Sequence, residues 1–114
     1  MSNHNWKNNT KAELALAVEA RKAGNEGRAR VCARRAAGYV IGEYLQREGI
    51  DISSESALDR LRYLDSDPNA PAIARKMANH FLVHLTPEHK LPIDADLIAE
   101  VELLARDLLS EELN

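Results

Sequence analysis

Two side chains of this 114-residue sequence, Arg75 and His80, have the types and spacing for acid–base chemistry on a phosphate. A guanidinium holds an anion through forked hydrogen bonds, and an imidazole exchanges a proton near neutral pH. Both belong to the stretch Ala70–Leu85, A-P-A-I-A-R-K-M-A-N-H-F-L-V-H-L. Its pattern predicts an amphipathic helix: at ~100° per residue, Ile73, Ala74, Met77, Ala78, Phe81, Leu82 and Leu85 fill one half of the circumference. Arg75 and His80 leave such a helix ~140° apart and flank a polar arc that contains Lys76 and Asn79. These two are the expected phosphate- or RNA-binding side chains. Val83 falls in the same arc, an apolar residue among polar ones, and is expected to be covered at a two-fold interface.

Other chemistries find less to work with. His80 and His84 are four apart, a spacing that can present two imidazoles to one metal, and His89 adds a third only if its loop folds back. Two ligands make no site, so no metal and no cofactor is expected. Cys32 sits amid alanines and reads as a small hydrophobe, while His4 lies in a polar tail. Glu43 is expected to be a half-buried structural carboxylate paired to an arginine. No serine has a G-x-S-x-G setting and no glycine-rich loop has phosphate-cradle spacing.

The elements that position Arg75 and His80 are helices. Apolar residues make up 45% of the chain and aromatics 4%, so the core must be aliphatic and alanine-rich. Runs of β-branched residues with period two are absent, which argues against a sheet. The expected fold is all-α: an antiparallel bundle of four main helices plus one short helix. Residues 1–9 are expected to be a flexible tail, with Trp6 packing back, and residues 10–114 a single domain. Thr10-Lys11-Ala12-Glu13 has the form of a capping box, opening a first helix through about Ala23, with Leu14, Val18 and the alanines inward and Gly24 as its left-handed stop. Asn25 is expected to cap a second helix, Glu26–Glu48, ~34 Å long at 1.5 Å per residue, closed by Gly49. Its small residues Ala33, Ala36, Ala37, Gly38 and Gly42 allow close neighbours. Ser53 or Ser54 is the expected cap of a short third helix through Leu64. Pro71 suits the first turn of the Arg75/His80 helix, and Asp94 is the expected cap of a last helix, Ala95–Glu112.

Charge is unevenly spread although the net value is only −3. Residues 21–35 carry Arg21, Lys22, Arg28, Arg30, Arg34 and Arg35 against Glu26 alone, while residues 94–114 carry seven acidic side chains against Arg106 alone. The basic stretch reads either as a solvated bundle face or as a surface for phosphates. A lone cysteine fits a reducing compartment, the N-terminus shows no apolar signal segment, and no run reaches the ~18 apolar residues of a membrane span. A cytoplasmic protein without membrane contact is expected.

The whole chain resembles the HEPN superfamily of small, dimer-forming helical bundles. The resemblance is carried by Ala33-Arg34-Arg35-Ala36-Ala37-Gly38-Tyr39 leading into Leu45, and by Arg75-Lys76-Met77-Ala78-Asn79-His80 on the penultimate helix. Many members have arginine, four to six residues, then histidine at that place, and use the pair for metal-independent RNA cleavage. The resemblance implies a homodimer in which Arg75 binds phosphate and His80 is the general acid or base. Lys76 stands where asparagine or aspartate is commoner, and Leu82 where many active members have tyrosine. It equally implies an alternative: a non-catalytic interaction or nucleotide-binding module, for instance the partner of a minimal nucleotidyltransferase in a toxin–antitoxin pair.

Overall fold

In a computed structural model, which describes residues 5–83 and 96–113, the chain forms five α-helices: α1 (Trp6–Lys22), α2 (Glu26–Arg47), α3 (Ala57–Ser66), α4 (Ala72–Leu82) and α5 (Leu97–Leu109). No strand occurs among the described residues, and no described helix is long and apolar enough to cross a membrane. His4, His84, His89 and Asp94 lie outside the described residues.

α2 is the central strut. It packs on α1, α3 and α5, while α4 completes the bundle against α3 and α5. Its alanines Ala33, Ala36 and Ala37 are fully buried, with Val40 and Ile41 continuing the same side. A Cβ on Gly38 would stand 2.6 Å from the Cβ of Ala57, so this glycine is where the start of α3 seats on α2. At Gly42 the missing side chain leaves room for the Arg60 guanidinium, which donates to the Gly38 carbonyl at 3.1 Å. The expected turns hold. Gly24 and Gly49 adopt positive φ, and the amides that follow, of Asn25 and Ile50, reach back to the carbonyls of Ala20 and Leu45. This is how orphan carbonyls at a helix end are satisfied.

α1 begins at Trp6, four residues before the expected capping box. Trp6 belongs to the core, and burying an indole outweighs a cap at Thr10. Thr10 is instead fully buried inside the helix, its hydroxyl donating to the Trp6 carbonyl at 2.7 Å, the back-bond open to a mid-helix threonine. Val18 is 36% exposed and not inward; Ala17 and Ala20 make the contact. α3 is capped by Ser56, not Ser53 or Ser54: the Ser56 hydroxyl accepts from the Asp59 amide. Ser53 has positive φ, and Ser54 donates to the Asp59 carboxylate.

α4 buries Ala74, Met77, Ala78 and Phe81, as its pattern demands, but leaves Ile73 65% exposed because only α3 and α5 cover it. Pro71 precedes its first turn. The helix stops at Leu82, and Leu85 lies outside the described residues. Val83 is extended (φ −68, ψ 131) and half-buried, so it is not part of a helical polar arc. α5 is capped by Asp96, whose Oδ1 accepts from the amides of Ile98 and Ala99. Burial works against this carboxylate, yet the Arg21 guanidinium and those amides hold its pKa below the usual range. Glu43 is buried and accepts from Arg47 Nε at 2.8 Å, a structural pair. Arg47 also binds Glu111, which bonds Lys7 in turn, so this network ties the start of α1 and the end of α2 to the C-terminal segment.

Candidate functional site

His80 stands on the last turn of α4, on the flank that faces α5. Its Nδ1–H donates to Glu100 Oε1 at 2.6 Å. The side chains of His80 and Glu100 are only 19% and 13% exposed, so His80 is not the solvated residue its place on a polar arc predicts. An ionised carboxylate can only accept, so the bond puts the proton of the neutral ring on Nδ1. Nε2 is then the nitrogen left to exchange a proton with a ligand. The second oxygen of Glu100 is buried and has no hydrogen-bond partner.

His80 lines a cavity of about 450 Å³ enclosed by four helices. From α2 come Arg30 and Arg34, one turn apart, with Val31 between them. α3 supplies Leu58 and Arg62, also one turn apart, and the end of α4 adds Phe81, Leu82 and Val83. Among the described residues every charged side chain that lines the cavity is an arginine, and no carboxylate does. Arg62 is exposed and meets Asp59 only at 3.7 Å. Arg34 is half-buried, and its Nε is fully buried with no hydrogen-bond partner. The cavity therefore combines anion-binding groups, an apolar wall and one imidazole oriented by a carboxylate. That set can bind a phosphate group and move a proton beside it.

The other expected site residues lie elsewhere. Arg75 is half-buried on α4, with its Nε buried and unpartnered, and it does not line the cavity. Lys76 and Asn79 are exposed, again outside the cavity lining. The second and third imidazoles of the metal spacing, His84 and His89, lie outside the described residues. Among the described residues no three His, Cys, Asp or Glu side chains cluster as metal ligands, and Cys32 is buried.

Four participants, Arg30, Arg34, Arg62 and Glu100, were not singled out by residue spacing. Arg34 and Arg30 stand in the basic stretch, and Arg34 also in the segment that carries the family resemblance; an i, i+4 pair on one helix face was the available signal. Arg62 carries no local signal. Glu100 meets His80 across twenty residues of sequence, a distance no local pattern spans. In comparisons with protein-family models, curated proteins and solved structures, nothing matches the chain.

Proposed function

We propose that this chain is an HEPN-like domain, an antiparallel four-helix arrangement with one short helix, that binds RNA or a nucleotide and cleaves RNA without a metal. The observation that carries this reading is the His80–Glu100 pair beside a cavity that His80 lines and whose charged lining, among the described residues, is arginine. In the reaction His80 Nε2 takes the proton of a ribose 2′-hydroxyl. The 2′-oxygen then forms a bond to phosphorus while the bond from phosphorus to the 5′-oxygen breaks. The 5′-oxygen leaves with a proton from a general acid, giving a 2′,3′-cyclic phosphate and a 5′-hydroxyl. Guanidinium groups stabilise the charge that develops on the phosphate. Arg75 and His80 are the motif pair of this reading, and Lys76 and Asn79 meet the RNA backbone from the exposed face of α4. In a two-fold dimer, base and acid can come from different subunits.

A second reading has its own support. His80 and Glu100 join α4 to α5 at low exposure, and Arg75 does not line the cavity with His80, as suits a non-catalytic HEPN-type module that binds a nucleotide or a protein such as a minimal nucleotidyltransferase. Incubation of RNA with the protein in excess chelator separates the two. Cleavage to cyclic-phosphate ends that His80→Ala abolishes supports the nuclease. Intact RNA with wild-type protein leaves the binding module.

A further inference from the structure

Arg34, Arg60 and Arg75 each have a buried Nε–H without a partner among the described residues, and of the three only Arg34 lines the cavity. Arg34 sits mid-way along the central helix, half-buried, with a buried Nε–H that no group accepts. No ion pair or hydrogen bond to Arg34 occurs among the described residues. A buried donor without an acceptor is costly, the more so in a cation. Other arginines of the bundle are neutralised: Arg47 by Glu43 and Glu111, Arg21 by Glu26 and Asp96. Arg34 lines the cavity instead, one helical turn after Arg30 on α2, together with Arg62 from α3 and His80 from α4. Between these cations the wall is apolar, from Val31, Leu58 and Phe81. At about 450 Å³ the cavity falls within the roughly 300–1,000 Å³ of small-molecule sites.

From this juxtaposition we infer that Arg34 is the phosphate-holding guanidinium of the cavity, and that its ligand is one nucleoside monophosphate unit, the phosphate on Arg34 and the base against the apolar wall. The inference rests on the nucleotide or RNA reading above and names the subsite within it. It also moves the first phosphate contact from Arg75, which shares the unpartnered Nε but does not line the cavity, to a different helix. The bland alternative is that Arg34 is a tolerated, water-solvated arginine. The two differ in what the Nε–H does when a phosphate arrives.

The test uses the whole chain and three probes: adenosine 5′-monophosphate, inorganic phosphate and adenosine. Binding is read by titration calorimetry and by the ¹⁵N resonance of the Arg34 Nε–H. The monophosphate is expected to bind best, inorganic phosphate more weakly and adenosine weakest, with the Arg34 Nε–H resonance moving for the two phosphates alone. Arg34→Met is expected to weaken monophosphate binding at least about tenfold, as loss of a charge-assisted hydrogen bond does. The same variant, without ligand, should melt no lower than wild type, since it removes an unpaired buried donor. Arg28→Met, at an exposed position of α2 outside the cavity lining, should leave monophosphate affinity within about twofold. Should Arg34→Met not fold, the resonance shift in wild type still decides. An unmoved Arg34 resonance, monophosphate affinity that survives Arg34→Met, or an equal loss on Arg28→Met would overturn the inference. If the wild type then still cleaves RNA in chelator, the nuclease reading stands and only the subsite is wrong; if it does neither, both fall.

Discussion

Replacing His80 with alanine is expected to destabilise the bundle, and the structure sets the size of the effect. A histidine on a solvated arc would cost less than ~0.5 kcal/mol on removal. His80 instead gives Glu100 its hydrogen bond, at 2.6 Å. The other oxygen of Glu100 is already buried without a partner. His80→Ala therefore leaves a carboxylate that is 13% exposed with neither oxygen satisfied by a described side chain. Leaving a buried acceptor unpaired costs about 1–3 kcal/mol. Residual exposure lets water repay part of this, so the expected loss is about 1–2 kcal/mol, a fall of about 3–8 °C in a domain of this size. Glu100→Gln, whose amide oxygen can still accept from Nδ1–H, should lose less. The double variant His80→Ala/Glu100→Ala should lose less than the sum of the single ones, because it removes the stranded carboxylate along with its partner. Melting followed by circular dichroism at pH 7.5 compares wild type, His80→Ala, Glu100→Ala, Glu100→Gln and the double variant. A His80→Ala melting curve superimposable on wild type, or strictly additive losses in the double variant, would show that the pair contributes nothing and that His80 is solvated after all.

Gly38→Ala should cost about 1–3 kcal/mol in thermal melts, because its Cβ would fall 2.6 Å from Ala57 Cβ and 2.9 Å from its Cα, whereas a cost under 0.5 kcal/mol would mean α3 is not seated there. Phe81→Ala should lose about 3–5 kcal/mol, since Phe81 is 2% exposed in the core; a mild loss would place α4 outside the bundle. Arg47 and Lys7 hold the Glu111 carboxyl below its usual pKa. A depressed carboxylate stabilises the fold above its unfolded value, ~4.3, and loses that contribution as pH falls through the folded value. Glu111→Gln should therefore melt below wild type at pH 7, with the gap closing under pH ~4; a gap independent of pH would contradict the pairing.

The fold was legible because its signals are local. Gly24, Asn25 and Gly49 are helix punctuation that acts within a few residues, and α2 starts where they require. The same rules failed where a tertiary contact outbid a local one. Thr10 offered a capping box, but Trp6 had a core to enter and drew the helix four residues back. Ser53 and Ser54 were plausible caps, yet α3 could start only where Gly38 admits Ala57, which makes Ser56 the cap. On α4 the apolar period located Ala74, Met77, Ala78 and Phe81. It could not reveal that the neighbours cover too narrow an arc to include Ile73, or that the helix ends before Val83.

The site was harder to read because a helical wheel gives angles about one axis and not which neighbour stands at each angle. Arg75 and His80 border the same apolar arc and look equivalent from sequence. Only α5 breaks the symmetry, by bringing Glu100 to the His80 flank. The charge distribution follows the same logic. The acidic C-terminal stretch is spent on closing the bundle: Asp96 on Arg21, Glu100 on His80, Glu111 on Lys7 and Arg47, Glu112 on Arg106. Those pairings engage carboxylates at the helix ends, and among the described residues none stands on the cavity lining, to which Arg30, Arg34 and Arg62 contribute. A chain with a net charge of −3 thus presents a cationic hollow, and net charge is a poor guide to its ligand. The local field is set by which side chains the fold brings to that lining, and Arg34 is the arginine of the lining whose buried Nε–H has no partner among the described residues.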